Sequence, residues 1–280
     1  MKHPPTDRCR GLLLLALILT ASTAKPAPAP AVILADTEHR SITARSISQV
    51  YDVFVSLPAD YAVSGKTYPV LYVLDGWHFP LMAFFQNNNR YSERMPSVII
   101  VNLGHVPAGD AMKLRTRDFS PTPVPDRPGS GGAAAFLEFL ENELIPFIDQ
   151  TYRTNRADRG LLGHSMGGMF ALYALEHRPS LFQRIVAASP APLEWDQRTV
   201  LKAARATLRA LPSPVRLDLS VGNEPEYAPA VIAFAALLDE LKPAGLDYRF
   251  TQFPSENHNS VRLASFPHGL YWVYRPASVP

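Results

Sequence analysis

The chain has 280 residues, of which 47% are hydrophobic and 19% charged, with a formal net charge of +2. That supplies enough apolar material for one large domain with a sizeable core. Basic residues are scattered rather than run together, so there is no case for a nucleic-acid-binding surface.

The first 24 residues read as an export signal. Lys2, Arg8 and Arg10 precede the apolar run Leu12–Leu19, and Ala21-Ser22-Thr23-Ala24 offers small residues for cleavage. The run is too short to span a bilayer comfortably, so no stable membrane insertion is expected after cleavage. The expected location is periplasmic or secreted. The single cysteine, Cys9, falls within the signal and leaves the mature chain without a disulfide. Residues 25–31 are rich in Pro and Ala and read as a tether, and 32–280 as a single domain.

The domain begins β-rich. Ile42–Ile47 and Tyr51–Leu57 alternate as half-buried strands do, which suggests an antiparallel pair at a sheet edge. Tyr68–Leu74 and Ser97–Leu103 are nearly continuous apolar runs, the mark of strands covered on both faces. A helix is expected between them, over part of Phe79–Asn88. Gly104 to Gly132 has almost no periodicity and reads as a long loop of the kind that is often functional. Next, Leu137, Leu140, Leu144, Phe147 and Ile148 share one helix face, and Pro146 should bend its last turns.

Gly160-Leu161-Leu162 reads as a short buried strand after the polar Thr154–Asp158. It runs into Gly163-His164-Ser165-Met166-Gly167 and then a helix closed by His177-Arg178-Pro179. A G-x-S-x-G pattern between strand and helix is a nucleophile elbow, in which the glycines let strand and helix pack around a strained serine. Beyond it the chain alternates: strand Arg184–Ser189, helix Arg198–Leu211, strand Val215–Val221, helix Pro229–Leu241 and strand Asp247–Phe253. Alternation of this kind implies an α/β fold, a mostly parallel central sheet with helices on both faces.

A serine hydroxyl needs a positioned base to act as a nucleophile at neutral pH. With Ser165 on the elbow, the order Ser, acid, His points to His258, just past the last strand, and to a carboxylate after Val221. Glu224 and Glu226 both qualify, with Glu224 favoured as the first carboxylate beyond Gly222. The developing oxyanion needs two backbone donors, expected from Met166 and from Gly76 or Trp77. No metal or other cofactor is expected. There is no H-x-x-x-H pattern, and Gly129–Gly132 lacks the Lys-Ser/Thr of a phosphate loop.

Several of these segments resemble the putative-esterase family of α/β-hydrolases, which includes esterase D, the mycolyltransferases and the ferric-enterobactin esterases. The likeness rests on Val73-Leu74-Asp75-Gly76, Arg115–Thr122, Phe136–Tyr152 leading into Gly163–Gly168, Ser189-Pro190 and His258-Asn259-Ser260-Val261. It spans roughly Thr43 to Tyr274 and is strongest to the exported siderophore-esterase-like branch. It implies an α/β-hydrolase fold and carboxylic-ester hydrolysis with Ser165 and His258 in the motif positions. The acid loop departs from the family's usual spacing. Arg115 and Arg117 are candidate ligands for an anionic small-molecule ester, since guanidinium binds carboxylate and catecholate oxygens well. Arg117 can equally pin its loop through Asp118. His78, His164 and the aromatic residues Trp77, Phe119 and Trp195 are candidate pocket walls. An acyltransferase using the same acyl-enzyme, or a hydrolase-like binding protein, are the competing functions.

Overall fold

The computed structural model describes residues 34–92, 94–105, 110–193 and 199–276. The signal and tether expected over 1–31, and Trp195, lie outside the described residues. Eight strands, β1 (Thr37–Ala44), β2 (Gln49–Ser56), β3 (Tyr68–Leu74), β4 (Ile99–His105), β5 (Thr154–His164), β6 (Arg184–Ala188), β7 (Ala210–Gly222) and β8 (Ala244–Phe253), form one sheet. Their order is β1-β2-β4-β3-β5-β6-β7-β8. The first two strands are an antiparallel edge pair, β2 runs antiparallel to β4, and every later pairing is parallel.

The strand sequences explain why both faces are covered. On β3, Tyr68, Val70, Tyr72 and Leu74 belong to one apolar core, and Leu71 and Val73 to another. The first core is completed by Phe136, by Phe170 of helix Met166–His177 and by Phe234 of helix Ala228–Leu241. The second is completed by Met82 and Phe85 of helix Phe79–Ser92 and by Phe266 and Leu270 of helix Val261–Val273. Strands sandwiched in this way need apolar residues at successive positions, which is the pattern of β3 and β4. The architecture is the α/β-hydrolase fold.

The helix that carries Pro146 changes type just before the proline. Residues 133–151 pass through a π-helical turn, Leu140–Leu144, just before the proline enters the first turn of Ile145–Thr151. Proline lacks the N–H of a regular turn, and a widened turn absorbs the defect. Leu137, Leu140, Leu144 and Ile148 are buried as expected, while Phe147 is only half-buried.

Three expectations are corrected. The span from Gly104 to Gly132 is not wholly loop, because it contains helix Ala111–Phe119, N-capped by Asp110, whose side chain accepts from the Lys113 amide. Its buried positions are Arg115, Thr116, Asp118 and Phe119, so the inward face is mostly polar and leaves no apolar period. Strand β5 includes the polar Thr154–Asp158, which runs in the sheet before the strand becomes fully buried. The helix expected over Arg198–Leu211 ends at Thr207, because Ala210 already begins β7.

The chain leaves β3 for β4 on one side and resumes with β5 on the other. Such a reversal opens a crevice at the carboxyl ends of the two strands, where ligands bind in open α/β sheets. Asp75 follows β3 and Ser165 follows β5.

Candidate active site

Ser165 joins β5 to helix Met166–His177 with φ 60° and ψ −124°, a conformation that is costly for a residue with a side chain. The turn is so tight that a Cβ on Gly163 would lie 2.1 Å from the Gly167 carbonyl oxygen. Neighbouring backbone holds the strain in place. The Ser165 amide donates to the Ala188 carbonyl at 3.0 Å, and the Ser165 carbonyl accepts from the Ala191 amide at 3.1 Å. Asp75 (φ 69°) and Ser189 (φ 42°) are also in the left-handed region, so residues just past β3, β5 and β6 all carry strain at one sheet edge.

His258 follows β8. Its Nε2 lies 2.9 Å from Ser165 Oγ and its Nδ1 lies 2.6 Å from Glu224 Oε2. The loop around it is tied by Asn257, whose side-chain oxygen accepts from the amides of Asn259 and Ser260 at 2.9 and 3.0 Å. Glu224 is buried. Its second oxygen, Oε1, accepts from Ser189 Oγ at 2.6 Å and from the Gly222 amide at 2.9 Å. Burial by itself would raise the pKa of this carboxyl, but hydrogen bonds from His258, Ser189 and Gly222 outweigh it and hold the pKa below the ordinary value. Only glycine fits at 222, where a Cβ would lie 2.6 Å from the Glu256 carbonyl oxygen and 2.7 Å from Glu224 Oε1. Glu226 is exposed to solvent. His268 lies elsewhere, with its Nε2 3.3 Å from Thr251 Oγ1.

The Met166 amide opens the elbow helix, and the turn Gly76–His78 stands beside it. A Cβ on Gly167 would sit 3.5 Å from Asp75 Oδ2, which measures how closely the two segments pack. The His78 amide is spent on the Asp75 carbonyl at 3.0 Å. Gly76 is packed against Gly104, whose Cα lies 2.7 Å from where its Cβ would be. Among the described residues, no three His, Cys, Asp or Glu side chains gather as metal ligands would, and no helix is long and apolar enough to cross a membrane.

Residues 44–258 match the family model Esterase, described as "Putative esterase". The chain belongs to this family. It is 28% identical over 300 aligned residues, covering 99% of this chain and 97% of the relative, to the ferri-bacillibactin esterase BesA of Bacillus subtilis (strain 168). It is 33% identical over 204 residues, 63% of this chain and 66% of the relative, to the siderophore enterobactin esterase of Emericella nidulans. The crystal structure of the BES protein from Bacillus cereus superposes with a TM-score of 0.79 at 26% identity, over 90% of this chain and 100% of that one. This protein is a carboxylic ester hydrolase.

The arginines of this esterase are arranged otherwise than as free substrate ligands. Arg115 is buried and doubly bonded to Asp75, Nε to Oδ1 at 2.7 Å and Nη2 to Oδ2 at 2.8 Å. Its Nη2 also donates to the His164 carbonyl at 3.1 Å, and its guanidinium carbon lies 5.3 Å from the centre of the half-exposed Trp77 ring. One side chain thus ties the end of β3 to the elbow. Arg117 bonds to Asp118 at 2.7 Å and to Tyr51 Oη at 3.2 Å. Asp118 accepts in addition from Tyr51 Oη at 2.6 Å and His105 Nε2 at 2.9 Å, so it anchors helix Ala111–Phe119 to β2 and β4. Both guanidinium groups therefore face internal carboxylates, because the helix that carries them is packed into the body.

His78 and His164 are both buried. His164 Nε2 donates to the His258 carbonyl at 2.7 Å, fixing the backbone of His258. Burial, with His258 and His78 nearby, pushes its imidazole down to about 3. His78 packs against Phe266 with ring centres 5.0 Å apart, and burial, reinforced by Arg262 and Arg115, pushes it down to about 3. Phe119 is buried in the aromatic core with Phe136 and Phe170. Sequence reasoning missed two positioning side chains. Ser189, in a quoted motif, is given no role from sequence, although a hydroxyl at a strand end beside the acid loop was a usable signal. Asp75 has an apolar strand before it, which gives no hint of a partner 40 residues away.

Proposed function

We propose that this protein is a serine esterase that opens the ester bonds of a siderophore-type iron carrier through an acyl-enzyme on Ser165, and that it acts outside the cytoplasm after export. The observation that carries the reading is the continuous hydrogen-bonded chain Ser165–His258–Glu224. Ser165 Oγ attacks the ester carbonyl while His258 Nε2 takes its proton. The negative charge that forms on the substrate oxygen is met by the Met166 amide and an amide of the Gly76–His78 turn. Glu224 keeps the other imidazole proton on Nδ1 and stabilises the imidazolium. The alcohol leaves with the proton from Nε2. Water then repeats the attack on the acyl-enzyme, releasing the acid and restoring Ser165.

The substrate class comes from the relatives, two of which are named for siderophore ester cleavage. The test compares wild type with Ser165→Ala on a tris-catecholate trilactone, with and without bound iron, and on p-nitrophenyl esters of increasing chain length. The trilactone should be preferred in kcat/KM by at least about tenfold, and Ser165→Ala should lose at least about a thousandfold on every substrate. A serine-directed phosphonate should add one mass at Ser165. Preference for simple esters would remove the siderophore assignment, while labelling at another residue would remove the nucleophile.

A further inference from the structure

The opposite end of the sheet from Ser165 carries a second concavity, of about 710 Å³, whose lining includes Arg90, Arg94, Arg184, Arg216, Arg275 and Tyr274. It lies where β6 and β7 begin their pairing, between the end of helix Phe79–Ser92 and the chain that follows helix Val261–Val273. Arg184 and Arg216 are direct register partners on β6 and β7, an arrangement that is unfavourable for two like charges. Their guanidinium groups also converge, since both donate to the Val273 carbonyl, and Arg216 donates further to the Arg275 carbonyl.

Among the described residues the carboxylates are fewer than the arginines: Asp60 also lines the cavity, 3.8 Å from Lys66, and is the one acidic side chain of the lining. Asp158 pairs with Arg184, and Asp247 pairs with Arg275 at 2.7 Å, leaving Arg216 3.8 Å from that same carboxylate. Burial, followed by repulsion from Arg275 and Arg184, holds the Arg216 pKa below the ordinary value. On the facing wall Arg94 and Arg90 are exposed, and Arg94 lies 3.9 Å above the Tyr271 ring. Arg184 lies 4.6 Å above the ring of Tyr274, whose hydroxyl is buried against Gly160 of β5. A concave group of guanidiniums has the chemistry of an oxyanion cradle, since the planar fork matches phosphate oxygens in pairs.

We propose that this cavity is a binding site for a multiply charged phosphate-class oxyanion, separate from the ester-cleaving edge and independent of the siderophore reading. The ligand sits against Arg216 and Arg184 and is closed over by Arg94. Its source is either a free phosphate compound or the headgroup of an anionic lipid.

The test titrates purified protein with inorganic phosphate and pyrophosphate by calorimetry, and with phosphatidylglycerol and phosphatidylcholine vesicles by co-sedimentation. Binding of pyrophosphate, of phosphatidylglycerol but not phosphatidylcholine vesicles, or of both supports the site and names its source. Arg94→Gln, an exposed position that leaves the fold alone, should weaken whichever binding is seen by at least about fivefold and leave kcat/KM on an ester unchanged. Arg216→Gln should weaken it further. No binding by either probe at millimolar concentration, or binding that both variants retain in full, overturns the proposal.

Discussion

Glu224→Gln is the most demanding test of the catalytic arrangement, because it keeps the shape of the side chain and changes only which atoms donate. In the native site Oε1 faces two donors, Ser189 Oγ and the Gly222 amide, and Oε2 faces His258 Nδ1. The glutamine carbonyl oxygen will take the Oε1 position, since the reverse placement sets its N–H against the fixed Gly222 N–H. The amide nitrogen then points at Nδ1, which must accept, so the imidazole proton moves to Nε2 and faces Ser165. A base in that tautomer cannot take the serine proton. The analogous acid-to-amide change in other triads costs roughly 10⁴ in kcat, about 5 kcal/mol of transition-state stabilisation. Steady-state kinetics on an activated ester should therefore find kcat down by three to four powers of ten with KM nearly unchanged. Glu226→Gln, at an exposed position, should stay within about twofold, as an exposed charge contributes at most about 1 kcal/mol. A Glu224→Gln enzyme within tenfold of wild type refutes the tautomer argument, and a loss in Glu226→Gln alone moves the acid.

Arg115→Met should destabilise the fold by about 3–5 kcal/mol in urea melts, because it strands the fully buried Asp75 carboxylate. The double variant Asp75→Asn/Arg115→Met should regain most of that stability while kcat remains down by roughly a hundredfold, as expected if the pair aligns the oxyanion donors. Recovery of both together would make the pair purely structural. His78→Phe should flatten the acid side of the stability profile. The neutral buried imidazole titrates near 3 when folded and near 6.5 when unfolded, so its contribution is complete above the unfolded value and is lost as pH falls towards the folded one. Going from pH 7.5 to 5, wild type should lose about 2 kcal/mol more than the variant. Equal losses in urea titrations at the two pH values would contradict the burial argument.

The sequence by itself determined what depends on local pattern. The apolar runs of β3 and β4, the strand–serine–helix passage at Ser165 and the strand that delivers His258 are all written in consecutive residues, because periodicity and turn chemistry act over a few positions. That is why the α/β architecture was legible in the sequence, and why Ser165 and His258 stood out there as the candidate nucleophile and base. What the sequence could not supply is which polar groups meet after the chain has closed. Helix Ala111–Phe119 looked like loop because its inward face is built largely of Arg115, Thr116 and Asp118; Arg115 meets Asp75 at the end of β3, and Asp118 meets Tyr51 of β2 and His105 of β4. That Glu224 rather than Glu226 meets His258 in the folded chain goes with contacts of long range, one of them from Ser189, 35 residues away in the chain. Buried charge is held by contacts of long range and has no period, so only the folded chain decides where it goes.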